Sequence, residues 1–351
     1  MTPATPTAPV SSATPSAPFP PATPRLQVEG ELLYLDGRPY PLWGLRTANQ
    51  LEDDAHVQDL INNLDTYMEH GVNAVAPFLQ GGNGGTTNAF LPNGELDEQV
   101  MTRLLALLEE TARRGMVVVV GFFYVERAPL LESATAVERA VEQVTARLRP
   151  YRHVIFNLVN EFHLPDFDKA AYPFRRPEGI LRLLDIVHSI DPERLAAANC
   201  NDPQLVLQVA RHTPVVLHNS RTLAEYLLLV ERVGKPVIDV ECGNHALDAG
   251  RHGVFSEGAK LFYEQQIASA AVLPGKSIFF HAHWVQGPPT KWPGLKRIYR
   301  RHCDLGGYGT LTDPGMRWYF EAVRAARNYP APEMFGRIRA AIRAQNSLVL
   351  E

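Results

Sequence analysis

The sequence predicts an α/β protein folded as a (β/α)8 barrel, the TIM-barrel architecture. Eight short apolar segments, typical of buried strands, alternate with amphipathic helical segments over about 300 residues, which suits a barrel of this kind. The loops after four of these strands are long, whereas the returns from helix to strand are as short as Gly71 or Arg114-Gly115. This asymmetry is typical of a barrel that carries its functional residues on the carboxyl-terminal face. A doubly wound open sheet is disfavoured, because no GxGxxG motif follows the first strand.

The chain before the barrel falls into two parts. Residues 1–25 are almost entirely Pro, Thr, Ala and Ser, which bury too little apolar surface to offset the entropy of ordering, so we expect a disordered tail. Residues 26–351 then form a single barrel domain. At its start, Asp36-Gly37 separates the runs Leu26–Leu35 and Arg38–Leu42 and is a strong signal for a two-residue hairpin turn. We expect this hairpin to cover one end of the barrel.

The predicted strands and helices follow each other in regular alternation. In chain order the strands are Leu42–Arg46, Val72–Phe78, Met116–Phe123, Val154–Val159, Leu195–Asn199, Val215–His218, Val237–Glu241 and Ser277–Trp284. The helices are Ala55–Glu69, Glu98–Arg114, Ala136–Arg149, Pro177–Ser189, Asp202–Ala210, Thr222–Val233, Glu257–Ala271 and Met316–Arg327, with a last helix, Ala331–Gln345, that packs on the outside.

Composition and charge exclude several kinds of partner. The net charge of −4 gives no reason to expect a nucleic-acid partner, and no run of about 18 apolar residues is present to span a membrane. Cys200, Cys242 and Cys303 are too few and too scattered for a disulfide framework or a CxxC metal site, so we expect buried thiols. No secretory signal is visible, so we expect the sequence as written to be cytoplasmic, unless its start lies elsewhere. The sequence predicts neither a cofactor nor a particular oligomeric state.

Two of the predicted strands deliver a carboxylate at their carboxyl-terminal ends. Asn160-Glu161 follows the fourth strand, and Glu241 ends the seventh. Because the carboxyl-terminal ends of all the strands open onto one face of a barrel, we expect both carboxylates at its mouth. Two carboxylates that face each other are the equipment for glycoside hydrolysis, in which one protonates the leaving oxygen and the other attacks the anomeric carbon or activates water.

These residues, together with Trp284 at the end of the eighth strand, resemble the clan of retaining (β/α)8 glycoside hydrolases that includes the family 5 cellulases and mannanases. The resemblance covers about residues 26–330, although only a few positions carry it. It implies a retaining β-glycosidase with a carbohydrate substrate, in which Glu161 is the general acid/base and Glu241 the nucleophile. It also implies that Asn160 binds the sugar 2-hydroxyl and that Trp284 is the platform under the reacting sugar.

Three further residues at strand ends are candidates for the substrate-binding site. Arg46 ends the first strand and is the candidate cation beside the nucleophile. The clan's cellulases tend to place an Arg at the end of strand two, where this chain has Phe78, so Arg46 replaces it from the neighbouring strand. His218 ends the sixth strand, where the clan often carries a His two residues before a Tyr. Ser220 occupies that second position here, and Tyr124, after the third strand, is the candidate to stand in.

Two loops contain features that require their own interpretation. Trp284 precedes a Gly-Pro-Pro loop, which favours a place at the mouth, where its ring would stack on a sugar. Members of the clan often have a cis peptide bond after this Trp, so we expect one here.

The run Gly81–Gly85 is followed by neither a Lys-Ser/Thr pair nor a helix, and we interpret it as a mobile turn rather than a phosphate cradle.

Two hypotheses from other classes compete with the glycosidase. His281 and His283 alternate in the predicted eighth strand, so their imidazoles would share a face and, with His218 and Glu241, could hold a metal ion in a metal-dependent barrel hydrolase. Amidohydrolase-type barrels, however, carry their His-x-His on strand one and a carboxylated Lys on strand four, and this chain offers neither. The remaining hypothesis is a non-catalytic carbohydrate-binding barrel that kept the scaffold.

Overall fold

The computed structural model describes residues 23–82, 84–219, 229, 232–243, 253–273, 275–286 and 303–327. Within these ranges, three short antiparallel strands precede one sheet of eight parallel strands. The antiparallel strands are β1 (Leu26–Glu29), β2 (Leu32–Leu35) and β3 (Arg38–Pro39). The barrel strands are β4 (Trp43–Leu45), β5 (Ala74–Val75), β6 (Val117–Phe123), β7 (Val154–Val159), β8 (Leu195–Ala197), β9 (Val216–His218), β10 (Val237–Cys242) and β11 (Lys276–Phe280).

Amphipathic helices alternate with the barrel strands. In the described ranges they are α1 (Asp54–Glu69), α2 (Glu98–Arg113), α3 (Ala134–Leu148), α4 (Pro177–Ile190), α5 (Pro203–Ala210), α6 (Glu257–Val272) and α7 (Arg317–Arg327). Local sequence sets where several of them begin. The side chains of Asp53, Asp97 and Ser133 accept hydrogen bonds from the first free N–H groups of α1, α2 and α3, as preferred N-caps do.

The order of the strands confirms the predicted barrel. β4 pairs with both β5 and β11, and parallel pairing continues from these strands to β8 on one side and β9 on the other. A parallel bridge between Cys200 and His218, just beyond β8 and at the end of β9, joins the two remaining edges. The carboxyl-terminal ends of all eight strands therefore open onto one face.

The antiparallel strands form a floor at the amino-terminal end of the barrel. Asp36 and Gly37 have positive φ angles of 50° and 77°, as a two-residue hairpin turn requires, so the predicted Asp-Gly turn is confirmed. A second turn, at Gly30, joins β1 to β2 and was not predicted. Three leucines of these strands share one buried cluster with side chains of the barrel strands: Leu26, Leu33 and Leu35 with Ala74, Val117, Ile155, Leu195, Leu217, Ile238 and Phe279.

Two strands end three or more residues earlier than predicted. β5 covers only Ala74–Val75 of the predicted run, because Pro77 has no N–H to donate to a neighbouring strand. β11 ends at Phe280, and residues 282–285 form a turn in which the Val285 N–H donates to the Ala282 carbonyl at 3.3 Å. Residues 281–284 therefore follow the strand instead of continuing it.

The remaining sequence predictions have mixed outcomes. Thr23, in the predicted tail, is ordered against the barrel, since its hydroxyl donates to the Pro150 carbonyl at 2.9 Å. Residues 1–22, most of the predicted helix Thr222–Val233 and the predicted helix Ala331–Gln345 lie outside the described residues. The three cysteines are buried free thiols, as expected. No helix in the described ranges is long and apolar enough to cross a membrane.

Replacing Leu33 with alanine tests the floor. Leu33 is 4% exposed, so the variant loses buried methyl groups and leaves a cavity, and we expect the free energy of unfolding in urea to fall by about 2–4 kcal/mol. Leu130 is the matched control, because it is 49% exposed, and Leu130→Ala should change that free energy by less than about 0.5 kcal/mol. Equal effects of the two substitutions would contradict the packing of the floor.

Candidate active site

Arg46 follows β4 and connects two distant strand ends on the carboxyl-terminal face. Its side chain is fully buried, and Nη2 lies 3.3 Å from Oδ1 of Asn160, just after β7, and 3.3 Å from Oε2 of Glu241, in β10. A guanidinium removed from water needs such compensating partners. Because β7 and β10 are not neighbours in the sheet, Arg46 links their ends across the mouth of the barrel.

Phe78 supports the guanidinium of Arg46. Cζ of Arg46 lies 4.7 Å from the centre of the Phe78 ring, which is the geometry of a cation–π contact. Gly121, in β6, provides the space for this ring, since a Cβ atom there would lie 2.2 Å from it. The position where the clan's cellulases tend to carry an Arg thus holds an aromatic ring that packs on the Arg of the neighbouring strand.

A β-bulge sets the direction of Glu241. Asp239 pairs with Ile278, but the next paired residues are Cys242 and Phe280, so β10 holds one more residue than β11 over this stretch. The Asp239 carboxylate accepts a hydrogen bond from the Glu241 N–H at 3.2 Å, which stabilises the bulge. An extra residue of this kind re-aims a side chain. Glu241 is therefore turned toward the mouth, where it meets Arg46.

Side chains from three other strand ends contact the Glu241 carboxylate, which is 6% exposed, among the residues that the structure describes. Arg46 Nη2 at 3.3 Å and Asn219 Nδ2 at 3.2 Å contact Oε2, and His281 Nδ1 lies 3.3 Å from Oε1. A positive charge and hydrogen-bond donors both stabilise the ionised form of a carboxylate. The site is therefore built to hold an anion at this position.

Asn219 ends a chain of amides that runs along three neighbouring strands of the barrel. Asn157 Nδ2 donates to Asn199 Oδ1 at 2.7 Å, and Asn199 Nδ2 donates to Asn219 Oδ1 at 2.7 Å. These residues lie in β7, after β8 and after β9, so three strands contribute to the surroundings of Glu241. Sequence reasoning missed all three. The one available signal was Asn157, a lone amide inside an apolar strand.

Glu161, the other predicted catalytic carboxylate, follows Asn160 in a strained backbone conformation. Its φ angle is 50°, a left-handed value that a glutamate rarely adopts. Hydrogen bonds on either side hold this turn, because the Leu164 N–H donates to the Glu161 carbonyl at 2.9 Å and the Phe162 N–H to the Asn199 carbonyl at 3.2 Å. Strained residues held in this way concentrate at functional sites.

Tyr124 follows β6 and lies within electrostatic range of both carboxylates. Burial raises the pKa of its phenol well above the ordinary value, and the negative charges of Glu241 and Glu161 act in the same direction, while the charge of Arg46 lowers it. The phenol therefore stays protonated through the neutral and mildly alkaline range and can donate a hydrogen bond.

The glycine run Gly81–Gly85 packs against Tyr124 and Asn49. The Asn49 side chain exchanges two hydrogen bonds with the backbone of Gly82, at 2.9 and 3.0 Å. A Cβ atom on Gly82 would lie 2.2 Å from Tyr124 Cζ, and one on Gly85 would lie 2.3 Å from Asn49 Oδ1. The glycines thus allow close packing, and the described part of this loop is anchored, whereas its composition predicted a mobile turn.

His218 and Trp284 occupy different parts of the face. His218 is fully buried at the bridge between β8 and β9, with Nδ1 2.6 Å from the Cys200 carbonyl, so Nδ1 carries the proton. Trp284 lies in the turn after β11, where its indole N–H donates to the Asp304 carbonyl at 3.0 Å and its ring packs against Gly253. No peptide bond in the described residues is cis, so the expectation of a cis bond after Trp284 was wrong.

His281 and His283 do not share a strand face, because β11 ends at Phe280. His281 lies between Glu241 and Gln286, with Nε2 2.9 Å from Gln286 Oε1. Within the described residues, no group of three or more His, Cys, Asp or Glu side chains could hold a metal ion. The strand alternation on which the metal hypothesis depended was therefore wrong.

Several buried polar atoms on residues just after β4, β7 and β11 have no hydrogen-bond partner among the described residues. They are Arg46 Nε and Nη1, Thr47 Oγ1, Gln50 Oε1, Asn160 Nδ2 and Gln286 Nε2. An unpaired buried group of this kind costs about 1–3 kcal/mol. Their occurrence together on the carboxyl-terminal face indicates a site for a molecule that both donates and accepts hydrogen bonds.

No family model matches the sequence, and no curated protein matches it either. Solved structures match it in fold. A glycoside hydrolase family 5 mannosidase from Rhizomucor miehei is 12% identical with a TM-score of 0.60 over 87% of this chain and 97% of its own. A β-mannanase from the blue mussel Mytilus edulis is 12% identical with a TM-score of 0.52, over 88% and 97%. A GH2 β-galacturonidase from Eisenbergiella tayi is 14% identical with a TM-score of 0.57, over 87% of this chain.

The chain has the barrel fold of these glycoside hydrolases. It spans most of the mannosidase and the β-mannanase but only 54% of the β-galacturonidase chain. The resemblance to a clan of (β/α)8 glycoside hydrolases is thus confirmed at the level of the fold. Identities of 12% to 14% do not extend it to individual residues.

Replacing Arg46 with methionine tests the link between the strand ends. The substitution leaves the buried Glu241 without its cation, so we expect the free energy of unfolding at pH 7 to fall by about 3–5 kcal/mol. This loss of stability should shrink as the pH falls from 7 toward 4, because a buried carboxylate without a cation takes up a proton more readily than an exposed one, and protonation removes the unpaired charge. Arg147→Met is the control, since the Arg147 side chain is 46% exposed in its pair with Glu98 and such pairs contribute about 1 kcal/mol or less. A deficit that does not depend on pH would contradict the electrostatic role of Arg46.

Proposed function

We propose that the protein is a retaining glycoside hydrolase that cleaves β-glycosidic bonds. The observation that carries this proposal is the position of Arg46, whose Nη2 lies 3.3 Å from both Asn160 and Glu241. Since Glu161 directly follows Asn160, the contact supports a place for both carboxylates at the same part of the barrel mouth. Tyr124 supports this placement, because the charges of both carboxylates act on its hydroxyl.

In the proposed reaction, the two carboxylates act in two steps. First, Glu161 donates its proton to the glycosidic oxygen while the Glu241 carboxylate attacks the anomeric carbon, so the bond to the leaving group breaks and a glycosyl ester forms on Glu241. Then Glu161, now ionised, takes a proton from water, whose oxygen attacks the anomeric carbon and releases Glu241. Two inversions leave the anomeric configuration unchanged.

The different surroundings of the two carboxylates support this division of roles. Glu241 is buried among Arg46, Asn219 and His281, which favour the anion that a nucleophile must be. Glu161 lies on the same face as that negative charge, and a neighbouring anion favours the protonated form that a general acid must have.

The unpaired polar atoms match a carbohydrate, because each sugar hydroxyl both donates and accepts. We propose that Asn160, whose Nδ2 is unpaired among the described residues, binds the 2-hydroxyl and that the neutral phenol of Tyr124 is a second donor. His218 and Trp284 complete the proposed substrate-binding set. β-Mannosides are the first substrates to try, since two structural neighbours are a mannosidase and a β-mannanase.

Variants of the two carboxylates test their roles with a β-glycoside whose leaving group is dinitrophenolate. Glu241→Gly should abolish hydrolysis, and added azide should restore turnover with an α-glycosyl azide as product, because azide then replaces the nucleophile. Glu161→Ala should lose about 10²–10⁴-fold in rate on poor leaving groups but far less on dinitrophenolate, which needs no proton. With that variant azide replaces water, so the product should be the β-glycosyl azide.

The control for both variants is Glu132→Ala, which removes an exposed carboxylate and should leave the kinetics unchanged. Azide products of the same configuration from both active-site variants, or full activity of Glu241→Gly, would contradict the assignment.

Treatment with a chelator separates the proposal from a metal-dependent hydrolase. We expect kcat/KM to be unchanged after dialysis against EDTA, because no step of the proposed reaction uses a metal. Loss of activity that zinc restores would instead favour the metal hypothesis. Sugar binding without any turnover, unaffected by Glu241→Ala, would favour a non-catalytic barrel.

A further inference from the structure

We propose that Asn219 is a positioning residue for the nucleophile and that Asn199 and Asn157 fix the direction of its amide. This inference rests on the proposed function, since it gives Asn219 a task in that reaction. The clan often carries a Tyr two residues after the His of strand six, at the position of Ser220 here. In this chain the side chain of the preceding residue, Asn219, contacts the carboxylate, with Nδ2 3.2 Å from Glu241 Oε2.

The carboxylate dictates how each amide of the chain must point. An ionised carboxylate only accepts hydrogen bonds, so Asn219 must turn Nδ2 toward Glu241 and Oδ1 toward Asn199. Asn199 must then present Nδ2 to Asn219 and Oδ1 to Asn157. The negative charge of Glu241 at one end therefore determines which group of each amide donates and which accepts.

Backbone hydrogen bonds and burial hold the residues of the chain in place. The Asn199 N–H donates to the Val159 carbonyl at 3.1 Å, and the Asn219 N–H donates to the Cys200 carbonyl at 3.2 Å. Asn157 and Asn199 are fully buried, and Asn219 is 6% exposed. A donor held in this way costs little reorganisation when the reaction occurs.

The contact gives Asn219 an effect on both steps of the proposed reaction. Arg46 and Asn219 both contact Oε2 of Glu241, so together they fix the plane of the attacking carboxylate. When water releases the glycosyl ester, the negative charge returns to the carboxylate, and Nδ2 of Asn219 is in place to donate a hydrogen bond to it. Loss of this donor should also make the carboxylate easier to protonate.

The test measures the pH dependence of kcat/KM for Asn219→Ala on a substrate that the wild-type protein hydrolyses. We expect kcat/KM at the optimum to fall about 10–100-fold, the usual worth of a hydrogen bond to a charged group. The acid limb should move to higher pH by about one unit, with little change in KM. Asn73→Ala is the matched control, because Asn73 is also buried and bonds the backbone of Trp43 and Pro41 near the amino-terminal end of the barrel. It should lose stability without moving the acid limb.

Asn199→Asp tests the direction of the chain from one hydrogen bond further away. An ionised Asp cannot donate to Asn219 Oδ1, so the Asn219 amide should rotate and present its oxygen to Glu241. The acid limb should then move in the same direction as in Asn219→Ala. This substitution keeps the size of the side chain, so it remains informative even where Asn219→Ala is poorly folded.

An acid limb that stays in place in both variants would overturn the proposal, as would a loss of activity that only follows the loss of stability seen in Asn73→Ala. Failure of this proposal is distinguishable from failure of the proposed function. If the proposed function is wrong, the azide products of the Glu241 and Glu161 variants will disagree with the roles of these two residues, whatever the behaviour of the Asn219 variant.

Discussion

A buried guanidinium is the constraint on which the mouth of this barrel depends. Arg46 is fully removed from water, so its charge must be matched inside the protein. The match comes from Glu241 in β10, from the Asn160 amide oxygen after β7 and from the face of Phe78 after β5. These partners come from strands that are distant in the sequence, and the one cation brings them together.

The same constraint explains features of the backbone that would otherwise be costly. The bulge in β10 interrupts regular pairing, but it turns Glu241 toward Arg46, and Asp239 stabilises it through the Glu241 N–H. The left-handed conformation of Glu161 directly follows the residue that Arg46 contacts. Deviations from regular strand geometry thus lie at the two carboxylates, as expected where a fold gives up local stability for function.

Much of the fold was predictable because it depends on local patterns. Val154–Val159 was predicted with the bounds that the structure shows, since a continuous apolar run before a polar pair defines a buried strand. The Asp36-Gly37 turn was predictable because its two residues favour positive φ. The alternation His281-Ala282-His283 predicted a strand that continues to Trp284, but the strand ends at Phe280 and the Trp284 indole bonds the Asp304 carbonyl. Its expected cis bond came from resemblance alone and was wrong.

The surroundings of the site were less predictable because they depend on contacts between distant segments. Nothing in the local sequence says that Phe78 packs on Arg46, or that Asn157, Asn199 and Asn219 join in one chain, because each comes from a different strand. Alternation along a strand would place His281 and His283 on one face, but β11 ends at Phe280, just before His281, so the alternation does not apply to them. Sequence patterns therefore locate residues at the mouth, and the tertiary structure decides which of them meet.

The most direct test of the central claim is to trap the covalent intermediate. A substrate that the protein hydrolyses would be replaced by its 2-deoxy-2-fluoro β-glycoside with a good leaving group, and the inactivated protein would be digested and sequenced by mass spectrometry. We expect a single fluoroglycosyl adduct on Glu241, formed at a lower rate in Arg46→Met. An adduct on another residue, or no adduct with a sugar that the protein measurably hydrolyses, would contradict the assignment of Glu241 as the nucleophile held by Arg46.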